Sequence, residues 1–77
     1  MLSTEEFYKQ IGSNVAKARK EKGLSQLQLS LALNYSSLSV VSGGESCSSG
    51  KHFNLEQLYR ISEVLEIELS ELVKLDK

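Results

Sequence analysis

Apolar residues recur at helical spacing in the first part of the chain. They fall three or four positions apart: Phe7, Ile11, Val15 and Ala18. This period predicts an amphipathic helix from about Thr4 to Lys22. Ser3 or Thr4 can cap its start, and Gly23 can end it.

The last part of the chain has a second helical stripe: Leu55, Leu58, Ile61 and Leu65. Asn54 precedes it as a helix cap. A short break at residues 66–68 separates this helix from a further one, predicted from Leu69 to about Leu75. Between the first helix and this region, the polar segment SCSSGKHF has no periodic pattern and is predicted to be a loop.

The segment from residue 23 to 45 predicts two short helices joined by a tight turn. Ser25 and Gln28 form a capping box, and Leu24 and Leu29 form a hydrophobic staple, so a helix begins here and runs to about Leu33. Asn34 follows, and asparagine readily adopts the left-handed conformation that turns a chain sharply.

A second short helix follows this turn, from about Ser37 to Ser46. Tyr35 can anchor the turn in a core, and Ser36 or Ser37 can cap the helix. The two helices together form a helix-turn-helix at about residues 25–46.

Length and composition indicate one domain spanning residues 1–77. No apolar run is long enough to cross a membrane. The single cysteine and the absence of a signal-peptide pattern at the N-terminus favour a cytoplasmic location.

The net charge of −1 is unevenly distributed. Residues 1–22 carry five basic and three acidic side chains: Lys9, Lys17, Arg19, Lys20 and Lys22 against Glu5, Glu6 and Glu21. Residues 55–77 carry three basic and six acidic ones: Arg60, Lys74 and Lys77 against Glu56, Glu63, Glu66, Glu68, Glu71 and Asp76. A domain that binds a polyanion needs positive charge only on the contacting face, so this distribution is compatible with nucleic-acid binding.

The inventory of reactive side chains argues against an enzyme. The segment GESCSSGKH has five residues between its glycines where a phosphate-binding P-loop has four, and His52 replaces the magnesium-binding hydroxyl. We expect Cys47 to be an inert thiol and His52 not to bind metal. The sequence therefore predicts no catalytic residue, cofactor, metal or small-molecule ligand.

Two segments, IGSNVAKARKEKGLSQLQLSLAL and NLEQLYRISEVLEIELSELV, resemble the Cro/repressor (Xre-type) helix-turn-helix family. With the segment between them, the resemblance covers almost the whole chain. In size the chain is also similar to the small controller proteins of restriction–modification systems. The resemblance implies an all-α, compact five-helix, repressor-like DNA-binding domain.

The resemblance also implies roles for particular residues. Ser25 and Gln26 match positions that hold a DNA phosphate, and Lys51 lies in a loop that follows the DNA backbone. Arg19 and Glu45 match a pair that bridges helices beneath the DNA-binding surface. The start and exposed face of the recognition helix carry the remaining candidate contacts: Ser36, Ser37, Leu38, Ser39 and Ser42.

The function that follows is a sequence-specific transcriptional regulator that binds double-stranded DNA as a homodimer. The apolar residues proposed for the dimer interface, which could instead close the core of a monomer, are Tyr59, Ile67, Val73 and Leu75. The alternative is a helix-turn-helix that has become a protein-interaction module, antitoxin-like or regulator-binding, with weak or no DNA binding.

The acidic balance of the chain, the serine-rich recognition segment and two spare leucines support this alternative. After Asn34 the recognition segment has no Arg, Lys, Gln or Asn, the side chains that make strong base contacts. Leu27 and Leu31 occupy positions that the family usually fills with charged residues; we expect Leu2, Phe7 or Tyr8 to cover them, the other option being a partner-binding patch. Two glycines, Gly43 and Gly44, leave open whether the end of the recognition helix is ordered without DNA.

Overall fold

The computed structural model describes residues 1–75, which form five α-helices and no strand. The helices are α1 (Thr4–Glu21), α2 (Gln26–Ala32), α3 (Ser39–Ser46), α4 (Leu55–Leu65) and α5 (Leu69–Leu72). A single 3₁₀ turn, Ser48–Gly50, follows α3. The radius of gyration is 11.5 Å, as expected for a compact chain of this length. The prediction of a compact all-α domain is confirmed.

Capping boxes begin three of the helices. Ser3, Ser25 and Asn54 each accept a hydrogen bond from the backbone N–H three residues later, and the side chain there accepts one in return. The side chains that reciprocate are Glu6, Gln28 and Gln57. The hydrogen bonds with Ser3 also hold the pKa of Glu6 below its usual value. These starts agree with the sequence prediction.

A left-handed residue ends the same three helices: Gly23 after α1, Asn34 after α2 and Glu66 after α4. In each case the backbone N–H of the next residue donates to the carbonyl five residues earlier. That carbonyl, near the C-terminus of the helix, thereby gains a hydrogen-bond partner. The three bonds are Leu24 to Arg19 at 3.1 Å, Tyr35 to Ser30 at 3.0 Å and Ile67 to Ser62 at 3.1 Å. The prediction that Asn34 turns the chain is confirmed.

Two predicted helix boundaries were wrong. α3 begins at Ser39 and its N-cap is Leu38, so neither Ser36 nor Ser37 takes the cap position. The Ser37 hydroxyl hydrogen-bonds to the Ser39 hydroxyl at 2.8 Å and accepts a longer bond, 3.4 Å, from the Ser39 backbone N–H.

α5 ends at Leu72, three residues earlier than expected. The Asn14 side chain of α1 donates to the carbonyls of Leu72 and Lys74, at 3.0 and 2.7 Å. The chain after Leu72 is thus held by α1 and not by further helical bonds.

The core draws on every helix, on Leu33 at the cap of α2 and on the loop residue Phe53. Its buried members are Ile11, Val15, Leu29, Leu33, Val41, Phe53, Leu58, Ile61, Leu65 and Leu72. The backbones of α1 and α3 approach closely at Gly12. A Cβ added there would lie only 2.5 Å from the Glu45 carbonyl oxygen, so the contact requires glycine. Gly44 faces the Phe53 ring in the same way. Both Gly43 and Gly44 are buried within α3, which continues through them to Ser46.

Candidate functional site

A buried ion pair connects α1 to the end of α3. Arg19 Nε lies 2.7 Å from Glu45 Oε2, and Arg19 Nη2 donates to Glu45 Oε1 at 3.1 Å. The two side chains are only 8% and 7% exposed. Arg19 Nη1 also donates to the Leu24 carbonyl at 2.8 Å, so the guanidinium holds the α1–α2 connection as well. The structure therefore contains the pair that the sequence analysis expects.

The same carboxylate fixes the start of α2. Gln26 Nε2 donates to Glu45 Oε1 at 2.9 Å, so α1, α2 and α3 meet at one side chain. The resemblance implied only a phosphate-binding role for Gln26, because nothing local in the sequence shows that residues 19 apart in the chain are in contact. The contact fixes the position of the α2 start relative to α3.

The turn between α2 and α3 is held by a residue that sequence reasoning missed. Arg60 of α4 donates through Nη2 to the carbonyl of Leu33, and its guanidinium lies 5.7 Å from the centre of the Tyr35 ring. Tyr35 itself packs against the core, as expected. An arginine near the middle of an amphipathic helix has no sequence signal that identifies its partner. The turn is braced from both sides, by α4 and by the core.

The start of α3 presents hydroxyl groups to solvent. Ser36, Ser37, Leu38 and Ser39 are exposed, and Ser42 is half-buried. No charged side chain occurs from residue 23 to residue 44. Residues 23–44 can therefore contact a ligand only through neutral hydrogen bonds and apolar groups.

The loop after α3 returns along the same surface. Cys47 and Ser49 have positive φ angles of 57° and 55°. Cys47 ends α3, and its thiol contacts the Gly44 carbonyl at 3.5 Å. The Lys51 stem lies against Gly43, where an added Cβ would be 2.7 Å from Lys51 Cδ. A shallow depression joins this loop to α3 and α4, and it is lined by Ser39, Val40, Gly44, Gly50, Lys51, His52 and Gln57.

The structure groups the predicted contact residues only in part. Ser25 is exposed at the start of α2, beside Gln26, which is half-buried against Glu45. Ser39 and Lys51 line one depression, although they are twelve residues apart in the chain.

The residues predicted for a dimer interface divide into two kinds. Tyr59 and Leu75 are 54% and 41% exposed. Ile67 and Val73 instead pack against the core of this chain. This second pair therefore serves the core, the alternative that the sequence left open.

The prediction that the N-terminal segment covers Leu27 and Leu31 was wrong. These side chains are 45% and 55% exposed. Of the three residues expected to cover them, Phe7 packs against the core, Tyr8 stacks on His52, and Leu2 lines a depression together with Phe7. The outer face of α2 is therefore apolar and open to solvent.

No protein-family model matches this chain, and no curated protein matches it. Among residues 1–75 no three potential metal ligands from His, Cys, Asp and Glu lie together. In the same part of the chain, every helix is too short or too polar to cross a bilayer.

Proposed function

We propose that this protein is a sequence-specific DNA-binding regulator of transcription, and that α2 and α3 act as a helix-turn-helix. The observation that carries the proposal is the shared contact at Glu45, which fixes the start of α2 and the end of α3 relative to α1. A recognition helix must keep its position relative to the residues that grip the DNA backbone, because phosphate contacts set the register in which bases are read. The resemblance to the Cro/repressor family supports the same assignment.

In this proposal α3 lies in the major groove. Ser36, Ser37, Ser39 and Ser42 contact base edges or neighbouring phosphates, and Leu38 contacts thymine methyl groups. Because serine discriminates weakly between base pairs, water-mediated contacts and DNA shape supply part of the specificity.

The DNA backbone is held on either side of α3. Ser25 and Gln26 grip it at the start of α2, and Lys51 adds a positive charge from the loop. Lys51 is the only Lys or Arg between Lys22 and Arg60, so few counterions are displaced on binding. We expect a shallow salt dependence, with a slope of about −0.9 for each phosphate neutralised.

The test is a titration of the protein against duplex DNA from its own upstream region, at several salt concentrations. Tight binding to one duplex, with weaker binding to a shuffled duplex of the same composition, is the expected result. Equal affinity for both would contradict sequence-specific recognition, and no binding at low salt would contradict DNA binding altogether.

Two substitutions test how the DNA is docked. Gln26→Ala should weaken binding to all duplexes alike, whereas Ser39→Ala should change the preference at particular base pairs. Gln26→Ala also removes the hydrogen bond to Glu45, so its melting temperature must be measured alongside. Unchanged binding in both variants, on a duplex that the wild type binds, would contradict this docking.

A second candidate function is a protein-interaction module, and the outer face of α2 is the observation that favours it. Leu27 and Leu31 are exposed one helical turn apart, within a 22-residue stretch from 23 to 44 that has no charged side chain. The cores of protein interfaces are similarly depleted of charge. The matching partner has an apolar, uncharged contact surface. A wild-type protein that binds no DNA, but loses a partner on Leu31→Glu substitution, would favour this candidate.

A further inference from the structure

We propose that Tyr8 of α1 is a positioning residue for DNA binding, which acts by stacking on His52 and so holding the adjacent Lys51 across α3. The proposal rests on the proposed function. It assigns a role to two aromatic side chains that neither the core nor the helix-turn-helix uses.

The stack is the closest ring contact in residues 1–75. The centres of the Tyr8 and His52 rings are 3.8 Å apart, and the ring planes differ by 10°. Tyr8 does not belong to the core cluster, whereas its neighbour Phe7 packs against that cluster. The ring of Tyr8 is therefore turned towards the loop, and its main contact there is His52.

The loop that follows α3 has an unfavourable backbone conformation, which contacts such as the Tyr8–His52 stack must stabilise. Three of its four residues from 47 to 50 have positive φ angles, and two of the three, Cys47 and Ser49, are not glycine. A left-handed conformation is unfavourable for these residue types, so it persists only where tertiary contacts hold it. The contacts that follow the strained residues are the His52 stack and the burial of Phe53 in the core.

Lys51 lies between residues 47–50, which have the positive φ angles, and the two residues that hold the loop, His52 and Phe53. Its stem crosses α3 at Gly43, where the missing side chain leaves room for it. No other Lys or Arg lies between Lys22 and Arg60. The attraction of this region to DNA phosphates therefore depends largely on where the Lys51 amine is held. Freeing the loop would spread the Lys51 amine over many positions and reduce that contact.

The experiment measures affinity and salt dependence for Tyr8→Ala, Lys51→Ala and the double variant, on a duplex that the wild type binds. Tyr8→Ala should weaken binding by about three- to ten-fold, the range expected for the loss of one aromatic pair. It should also lower the salt slope towards that of Lys51→Ala. The double variant should be no weaker than Lys51→Ala, because Tyr8 acts through Lys51.

Two further variants separate positioning from folding. Tyr8→Phe keeps the ring and should bind as the wild type does. His52→Ala removes the stack without altering α1 and should reproduce the Tyr8→Ala defect, with circular dichroism showing both variants folded at the assay temperature.

The failures of the two proposals are distinguishable. A wild-type protein that binds no duplex refutes the proposed function. If the wild type binds and Tyr8→Ala has unchanged affinity and salt slope, only the role of Tyr8 is refuted. The role of Tyr8 is also refuted if the affinity loss of the double variant equals the sum of the two single losses.

Discussion

Ser30 is a single residue whose contribution to stability the structure defines sharply. It is fully buried, and its hydroxyl has no hydrogen-bond partner among the described residues. An unpaired buried hydroxyl costs about 1–3 kcal/mol, and alanine is also the better helix former. We expect Ser30→Ala to raise the free energy of unfolding by about 1 kcal/mol, measured by chemical denaturation.

The matched control is Ser62→Ala in α4. Ser62 is also buried, but its hydroxyl donates to the Tyr59 carbonyl at 2.6 Å. Loss of that bond offsets the gain in helix propensity, so we expect a change within about 0.5 kcal/mol. If Ser30→Ala destabilises the protein more than Ser62→Ala does, the Ser30 hydroxyl has a partner after all.

The ion pair between Arg19 and Glu45 permits a second prediction at the residue scale. Glu45→Ala leaves the guanidinium buried without its carboxylate, and we expect it to lower the free energy of unfolding by ~3 kcal/mol or more. Lys22→Ala is the control, because Lys22 and Glu66 form an exposed pair at 3.5 Å. Such a pair contributes about 0–1 kcal/mol. Denaturant unfolding of both variants checks the difference, and equal losses would show that the Arg19–Glu45 pair is not protected from solvent.

At the scale of a helix, two adjacent glycines in α3 should respond oppositely to the same substitution. A Cβ on Gly44 would lie 2.5 Å from Phe53 Cζ, and that ring is fixed in the core. We expect Gly44→Ala to destabilise the protein by about 1–3 kcal/mol through overpacking. The atoms nearest to a Cβ on Gly43 all belong to the flexible Lys51 side chain, so Gly43→Ala should be neutral or stabilise by up to about 1 kcal/mol.

Thermal unfolding followed by circular dichroism measures both glycine variants. A stable Gly44→Ala protein would mean that Phe53 can move away from α3. A destabilised Gly43→Ala protein would mean that the Lys51 stem supports the loop and has no alternative position.

At the scale of the whole molecule, assembly remains the main prediction. We expect a symmetric homodimer that includes the exposed Tyr59 and Leu75, and that presents two α3 helices to half-sites about one DNA turn apart. Sedimentation equilibrium should show a dimer, and Tyr59→Glu should shift the population towards monomer. Monomer alone at high micromolar concentration would contradict the prediction.

Short-range signals explain which parts of the fold were predictable. Ser25 and Gln28, or Asn54 and Gln57, carry both halves of a capping box within four residues, so these helix starts follow from local chemistry. Asn34 identified the turn for the same reason. The capping rule failed at the start of α3, because the N-cap position is taken by Leu38 and the Ser37 hydroxyl bonds to Ser39 from one residue further out.

In the candidate site, the contacts between distant residues were predictable only where the family resemblance named both partners. The resemblance supplied Arg19 and Glu45, which the structure brings together. Gln26, Arg60 and Tyr8 have contacts that connect distant parts of the chain, so neither periodicity nor capping rules identify their partners.

The sequence by itself determined the helical stripes, three of the helix starts and the position of the turn, since each depends on residues within about one or two helical turns. Tertiary structure alone decided which side chains are left for function. Phe53 fills the space beside Gly44, Phe7 packs against the core, Tyr8 stacks on His52, and Leu27 and Leu31 stay exposed. The physical reason is that burial of each side chain depends on what the rest of the chain places against it.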